Sequence, residues 1–125
     1  MLIVLDTNTL IRFFTNDVPE KAIKVRELLE SGKKVYIPNV VFPELEYVLN
    51  GNYAVKKEKI MEIFLFLLGQ KNIKIESVTR QAIEIYNKSE LDMADCIIAA
   101  SSMKGLLASF DQELLRVKKV NAYWQ

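Results

Sequence analysis

Histidine is absent from all 125 residues. Its absence removes histidine general bases, histidine-dependent nucleophile triads and histidine-ligated zinc together. Cysteine occurs once, at Cys96, so no internal disulfide is available and the chain fits a reducing compartment. Charge of either sign is barely in excess, with 17 Lys and Arg against 16 Asp and Glu. Any contact with nucleic acid must therefore use local patches instead of a global basic field. The longest apolar run, Ile60 to Leu68, falls far short of the ~20 residues that a membrane-spanning helix needs. Asp6 interrupts the first apolar stretch at once, which argues against a signal peptide. Repeats, linkers and low-complexity segments are also lacking. These absences predict a soluble cytoplasmic protein, with one domain over residues 1–125. They also restrict any metal site to oxygen ligands, and hence to hard cations such as Mg²⁺, Mn²⁺ or Ca²⁺.

What is present is an alternation of short apolar runs and helical patterns. Half of the residues are apolar, enough for a genuine core. Leu2-Ile3-Val4-Leu5 reads as a strand buried on both faces, as in the centre of a parallel sheet. Thr7 and Asn8 are placed to cap a helix beginning near Thr9. A second helix runs from Pro19 to Ser31 and stops at Gly32. Lys34 to Pro38 is the second strand, after which Asn39 is placed to cap a helix through Asn50. Val55 to Leu68 forms another helix, closed by Gly69, and Asn72 to Ile75 an edge strand. Helices over Thr79–Lys88 and Asp92–Lys104 follow, then a strand at Leu106–Ser109, a short helix at Gln112–Arg116 and a last strand at Val120–Tyr123. Strands separated by helices predict an α/β fold with a parallel sheet.

Four acids recur at strand ends or helix starts. Asp6 and Asp111 each close an apolar strand and open a helix, and each reads either as a cap or as a ligand at the carboxyl edge of the sheet. Glu44 borders the apolar stripe of Val41, Leu45, Val48 and Leu49; it either complements the helix dipole or faces a site. Asp92 reads as an N-cap. Asp95 is harder to explain that way, because two neighbouring acids on a largely apolar helix repel and pay desolvation unless a cation joins them. Gathered carboxylates without histidine are what a hard cation requires, and such acids should have raised pKa values while no cation is present. Cys96 lacks a histidine partner and reads as a small packing residue, not a nucleophile.

On these motifs the whole chain resembles the PIN-domain ribonucleases, and among them the VapC-type toxins of prokaryotic toxin–antitoxin systems. The matching pieces are Asp6-Thr7-Asn8 after the first strand, Glu44 followed by Leu45-Glu46-Tyr47-Val48-Leu49, Asp95 ahead of Ile97-Ile98-Ala99-Ala100, and Ser109-Phe110-Asp111. Two departures are Pro43 immediately before the Glu, tolerated in a first helical turn, and Cys96 where alanine is usual. The resemblance implies a three-layer α/β/α domain with a short, mostly parallel, five-stranded sheet. It implies Mg²⁺- or Mn²⁺-dependent hydrolysis of RNA by an activated water, with Asp6, Glu44, Asp95 and Asp111 as catalytic metal-binding acids. Thr7, Asn8, Ser109 and Asp92 would support them, and Arg12, Lys56, Lys57 and Lys59 are candidates to meet the RNA backbone, although for each lysine a solvated helix face is the competing reading. A homodimer and a small antitoxin partner are implied as well, with the apolar run Ile60 to Leu68 either as their surface or as plain core. The competing functions are housekeeping RNA processing and an inactive PIN-like binding scaffold. A metal-dependent phosphatase is disfavoured, because it would need a second Asp where Asn8 stands.

Overall fold

The computed structural model describes residues 1–124 and divides into two compact units, Met1–Glu76 and a second beginning at Ser77. The first unit holds three parallel strands, β1 (Ile3–Val4), β2 (Val35–Tyr36) and β3 (Ile73–Lys74), in the order β1-β2-β3. Ile3 pairs with Val35 and Val35 with Ile73. Main-chain bonds extend the ladder beyond the strands, from Leu5 N–H to Tyr36 O at 3.0 Å and from Ile37 N–H to Lys74 O at 3.1 Å. β3 lies at the edge, as expected. β1 does too, and there the expectation of burial on both faces fails: Leu2 and Val4 are 49% and 59% exposed while Leu5 is 3% exposed. Side chains alternate along a strand, so the exposed Leu2 and Val4 share one face and Leu5 points to the other.

Four helices complete this unit: α1 (Thr7–Thr15), α2 (Pro19–Glu30), α3 (Val41–Tyr53) and α4 (Lys57–Leu68). α1 packs on α2 and α3, and α3 on α4. Pro19 opens α2, where its missing N–H costs nothing. Gly32 follows α2 at φ +78°, a conformation that favours glycine. α3 begins differently from expectation. Asn39 does not cap it; Val40 occupies the cap position without a side-chain bond, and main-chain turns from Val41 N–H to Pro38 O and Phe42 N–H to Asn39 O lead the chain in. Pro43 then falls in the first turn, where an N–H would lack an intrahelical partner anyway. Phe42 and Phe64 are fully buried and meet edge to face at 5.3 Å, fixing α3 against α4. The apolar run of α4 is mostly core: Ile60, Met61, Ile63, Phe64 and Leu67 are buried, and only Leu65 and Phe66 are exposed.

The second unit contains α5 (Ser77–Lys88), α6 (Met93–Ser102) and α7 (Gln112–Leu115), with α6 packed on both other helices. α6 buries Met93, Cys96, Ala99 and Ala100. Cys96 is therefore a packing residue, its buried thiol in no disulfide and donating to Leu91 O at 3.9 Å. The two strands expected at Leu106–Ser109 and Val120–Tyr123 shrink to a single parallel bridge, Leu107 to Ala122. Two main-chain bonds hold it, Leu107 N–H to Asn121 O at 2.7 Å and Tyr123 N–H to Leu107 O at 2.9 Å. The fold class is α/β, as expected, with three strands in the described sheet where five were anticipated. Among the described residues, no helix is long and apolar enough to cross a membrane.

Candidate active site

In the first unit the acids are set by α1 and α3. Asp6 is the N-cap of α1, one of the two readings its position allowed, and Thr7 and Asn8 lie inside the helix instead of capping it: Asp6 Oδ1 accepts from Thr9 N–H at 2.9 Å and Thr9 Oγ1 at 2.7 Å. Asp outranks Thr as a cap, and starting the helix at Thr7 satisfies one of its unpaired amides. Those Thr9 bonds favour the carboxylate, so the Asp6 pKa is lowered, contrary to the expected rise. Both bonds fall on Oδ1, which leaves Oδ2 uncommitted among the described hydrogen bonds. Glu44, in the first turn of α3, accepts from Thr7 Oγ1 at 2.5 Å. A cleft of about 680 Å³ runs between the two helices, lined by Thr7, Asn8, Arg12, Glu44, Tyr47 and Tyr53 among others.

Arg12 is less available than expected. Its guanidinium pairs with Asp17 at 2.6 Å, and its Nε is buried without a hydrogen bond among the described residues. Asp17 also accepts from Tyr53 OH at 2.9 Å and Thr15 Oγ1 at 3.0 Å. Desolvation pushes the Asp17 carboxyl up, but Tyr53, Thr15 and Arg12 outweigh it and its pKa is lowered. This network ties the end of α1 to the end of α3 and holds the cleft walls together. Lys56 occupies the N-cap position of α4 without a side-chain bond and is exposed, Lys57 is half-buried, and Lys59 pairs with Glu62 at 3.3 Å. An exposed pair of that kind is worth little.

In the second unit two acids cap helices and one does not. Asp92 caps α6, its Oδ1 accepting from Asp95 N–H at 2.9 Å. Asp111 caps α7, its Oδ1 accepting from Glu113 N–H at 3.0 Å and Leu114 N–H at 3.2 Å. Ser109 supports Asp111 through the main chain, its Oγ accepting from Asp111 N–H at 3.0 Å. Asp95 has no such local task. It is half-buried, and its pKa is raised by desolvation first, then by the charges of Asp92, Asp111 and Glu113. The expected repulsion is therefore present here. Glu113 was not anticipated from the sequence; it stands two residues after Asp111 in the first turn of α7, a position that reads equally well as dipole compensation.

Of the acids expected on one sheet edge, Asp6 and Glu44 lie in the first unit and Asp95 and Asp111 in the second. Among the described residues no three His, Cys, Asp or Glu side chains stand together as a ready metal cage. The chemistry of the donors nonetheless fits a hard cation. They are all oxygen, and the half-buried Asp95 is pushed upward by desolvation and then by three acids, a cost that a divalent cation would relieve.

The PIN domain family matches residues 3–120 of the chain, a span that runs across both units. A VapC ribonuclease of Aquifex aeolicus (strain VF5) is 29% identical over 131 aligned positions, covering 96% of each chain. No solved structure matches the chain.

Proposed function

The chain belongs to the PIN-domain family, and from that premise we propose that it is a Mg²⁺- or Mn²⁺-dependent endoribonuclease acting as the toxin of a VapBC-type pair. The observation that carries the reading is Asp95, a half-buried carboxyl acted on by Asp92, Asp111 and Glu113, all acids. Dipole compensation in the first turn of α6 offsets only part of that cost, whereas a bound cation would relieve the desolvation and the repulsion together. The similarity to a VapC ribonuclease over 96% of both chains supports RNA as the substrate.

In this reading Asp6, Glu44, Asp95 and Asp111 hold the cation. When bound, the cation supplies polarisation of a phosphoryl oxygen and a more acidic water. The chain's own residues do the positioning. Thr9 fixes Asp6 through Oδ1, so Oδ2 is the atom offered to a ligand. Thr7 donates to Glu44 Oε1, which holds that carboxylate in one orientation. Asp111 is held the same way by the amides of Glu113 and Leu114. Lys56, Lys57 and Lys59 are assigned to the RNA backbone, and Arg12 to bracing the cleft. A homodimer and an antitoxin are the proposed protein partners, with exposed Leu65 and Phe66 on their surface; Phe66 packs against Phe13 and Phe14 at about 6 Å.

The test is cleavage of a labelled RNA by purified protein with Mn²⁺, with excess EDTA, and with Asp95→Asn. Cleavage that needs the metal and is lost in the variant, with the melting temperature retained, supports the assignment. Undiminished cleavage in EDTA overturns it.

A further inference from the structure

The second unit holds a cleft of about 660 Å³, with α5 on one side and α7 and the turn that follows it on the other. That volume is in the range of small-molecule sites. Four cations line it: Lys88 at the end of α5, Arg116 at the C-cap of α7, and Lys118 and Lys119 in the turn beyond. None of the four makes an ion pair among the described residues. The turn is closed by Val120 N–H donating to Val117 O at 3.1 Å, and Lys119 stands in it at φ +74°. A turn with positive φ at its third residue normally takes glycine there, because glycine alone adopts that backbone without steric cost. A lysine held in that conformation points to a use for its side chain.

The rest of the lining identifies the ligand. Three carboxylates, Glu84, Glu90 and Glu113, share the walls with the cations. Ile85, Leu91, Met103 and Val117 supply apolar surface. A bare polyphosphate would leave the carboxylates and the apolar surface unmatched, and an acidic peptide would be repelled by the three acids. A nucleotide matches all three kinds of group. Cations meet phosphate, a carboxylate accepts from ribose hydroxyls, and apolar surface takes the base. We propose that this cleft is a binding site for a free nucleoside triphosphate, held by Lys88, Arg116, Lys118 and Lys119 through its phosphates. The site stands apart from the ribonuclease reading, since no residue assigned there to the cation or to RNA lines it.

The test is calorimetric titration of the whole protein with ATP, GTP, CTP and UTP in turn. EDTA is present, so that no cation bridges the phosphates to Asp95 and its neighbours. Saturable binding of at least one of them, at one per chain, is expected, with tripolyphosphate and the parent nucleoside each clearly weaker. Arg116→Gln and Lys119→Gly should each weaken binding by about tenfold, the lower end of what a hydrogen bond between charged groups contributes. Lys119→Gly also relieves the positive φ, so its loss of binding does not come from a loss of fold. Lys34→Gln, which removes an exposed lysine of the first unit, should leave binding unchanged. Failure of all four nucleotides to bind saturably, equal binding of tripolyphosphate, or an equal loss in Lys34→Gln each overturns the site. Displacement of the nucleotide by an oligoribonucleotide with a 5′-hydroxyl overturns it too, because the cleft would then belong to the RNA path. Cleavage assays on the same samples do not bear on these outcomes, so the two readings fail separately.

Discussion

Asp92 does two opposed things, and substituting it separates them. Its Oδ1 caps α6 by accepting from Asp95 N–H at 2.9 Å, while its charge helps push the Asp95 carboxyl upward. Removing a cap of this kind costs about 1 kcal/mol, within a range of about 0.5–2. For a chain of this size that corresponds to a fall of about 3–6 °C in melting temperature. Asp92→Ala loses the cap and relieves the repulsion, so at neutral pH the second effect partly offsets the first. Asp92→Asn keeps a capping oxygen and removes only the charge; the lost helix-dipole attraction, about 0.3–1 kcal/mol, is set against the relief at Asp95. The Asn variant should therefore melt close to the wild type and clearly above the Ala variant. The assay is a thermal melt of the three proteins at neutral pH without divalent metal. If Asn melts as low as Ala, the side chain is not acting through a capping oxygen. If Ala melts with the wild type, the cap contributes nothing measurable.

Asp95 has a folded pKa above its unfolded value, so the penalty it imposes is absent below an unfolded pKa of about 3.9 and grows as pH rises through the folded one. Asp95→Asn should accordingly stabilise the metal-free protein at neutral pH, with the advantage vanishing near pH 4 in melts across that range. Asp6 has the opposite sign: its lowered pKa contributes stability above the unfolded value that is lost as pH falls through the folded one. Asp6→Ala should thus lower the melting temperature at neutral pH, and a rise would refute the cap. Thr7→Val removes the 2.5 Å donor to Glu44 and should lower cleavage while costing at most about 1.5 kcal/mol of stability in urea titrations. Phe64→Ala empties half of a fully buried ring pair and should cost about 3–5 kcal/mol in the same titrations.

The elements that carried strong local signals were legible in the sequence. Pro19 at the start of α2, Gly69 closing α4 and the alternation of strand and helix all reappear in the structure. What escaped was decided by neighbours that a sequence does not list. Leu2 to Leu5 has the composition of a doubly buried strand, but in β1 and its flanks Leu5 is buried while Leu2 and Val4 are exposed. Asn39 is a good cap that is not used, because a main-chain turn after Pro38 already starts α3. The acids were found, yet their roles divide more finely than spacing could say. Asp6, Asp92 and Asp111 serve as caps in addition to whatever else they hold, whereas Asp95, in the first turn of α6, caps nothing. The cleft between α5 and the turn after α7 was invisible for a related reason. Its walls are separated in sequence by the whole of α6 and meet only in the fold.

The account turns on the claim that the acids around Asp95 are there for a cation. The most direct measurement is the melting temperature of the metal-free wild type as Mn²⁺ is added, at pH 7 and near pH 4. A ligand that binds only the folded form stabilises it by about 2.7 kcal/mol at a hundred times its dissociation constant. The account predicts a saturable rise of several degrees at pH 7, a smaller one near pH 4 where the raised pKa leaves Asp95 more protonated, and a blunted response in Asp95→Asn. A wild-type melting temperature that does not move with Mn²⁺ at pH 7 would contradict it.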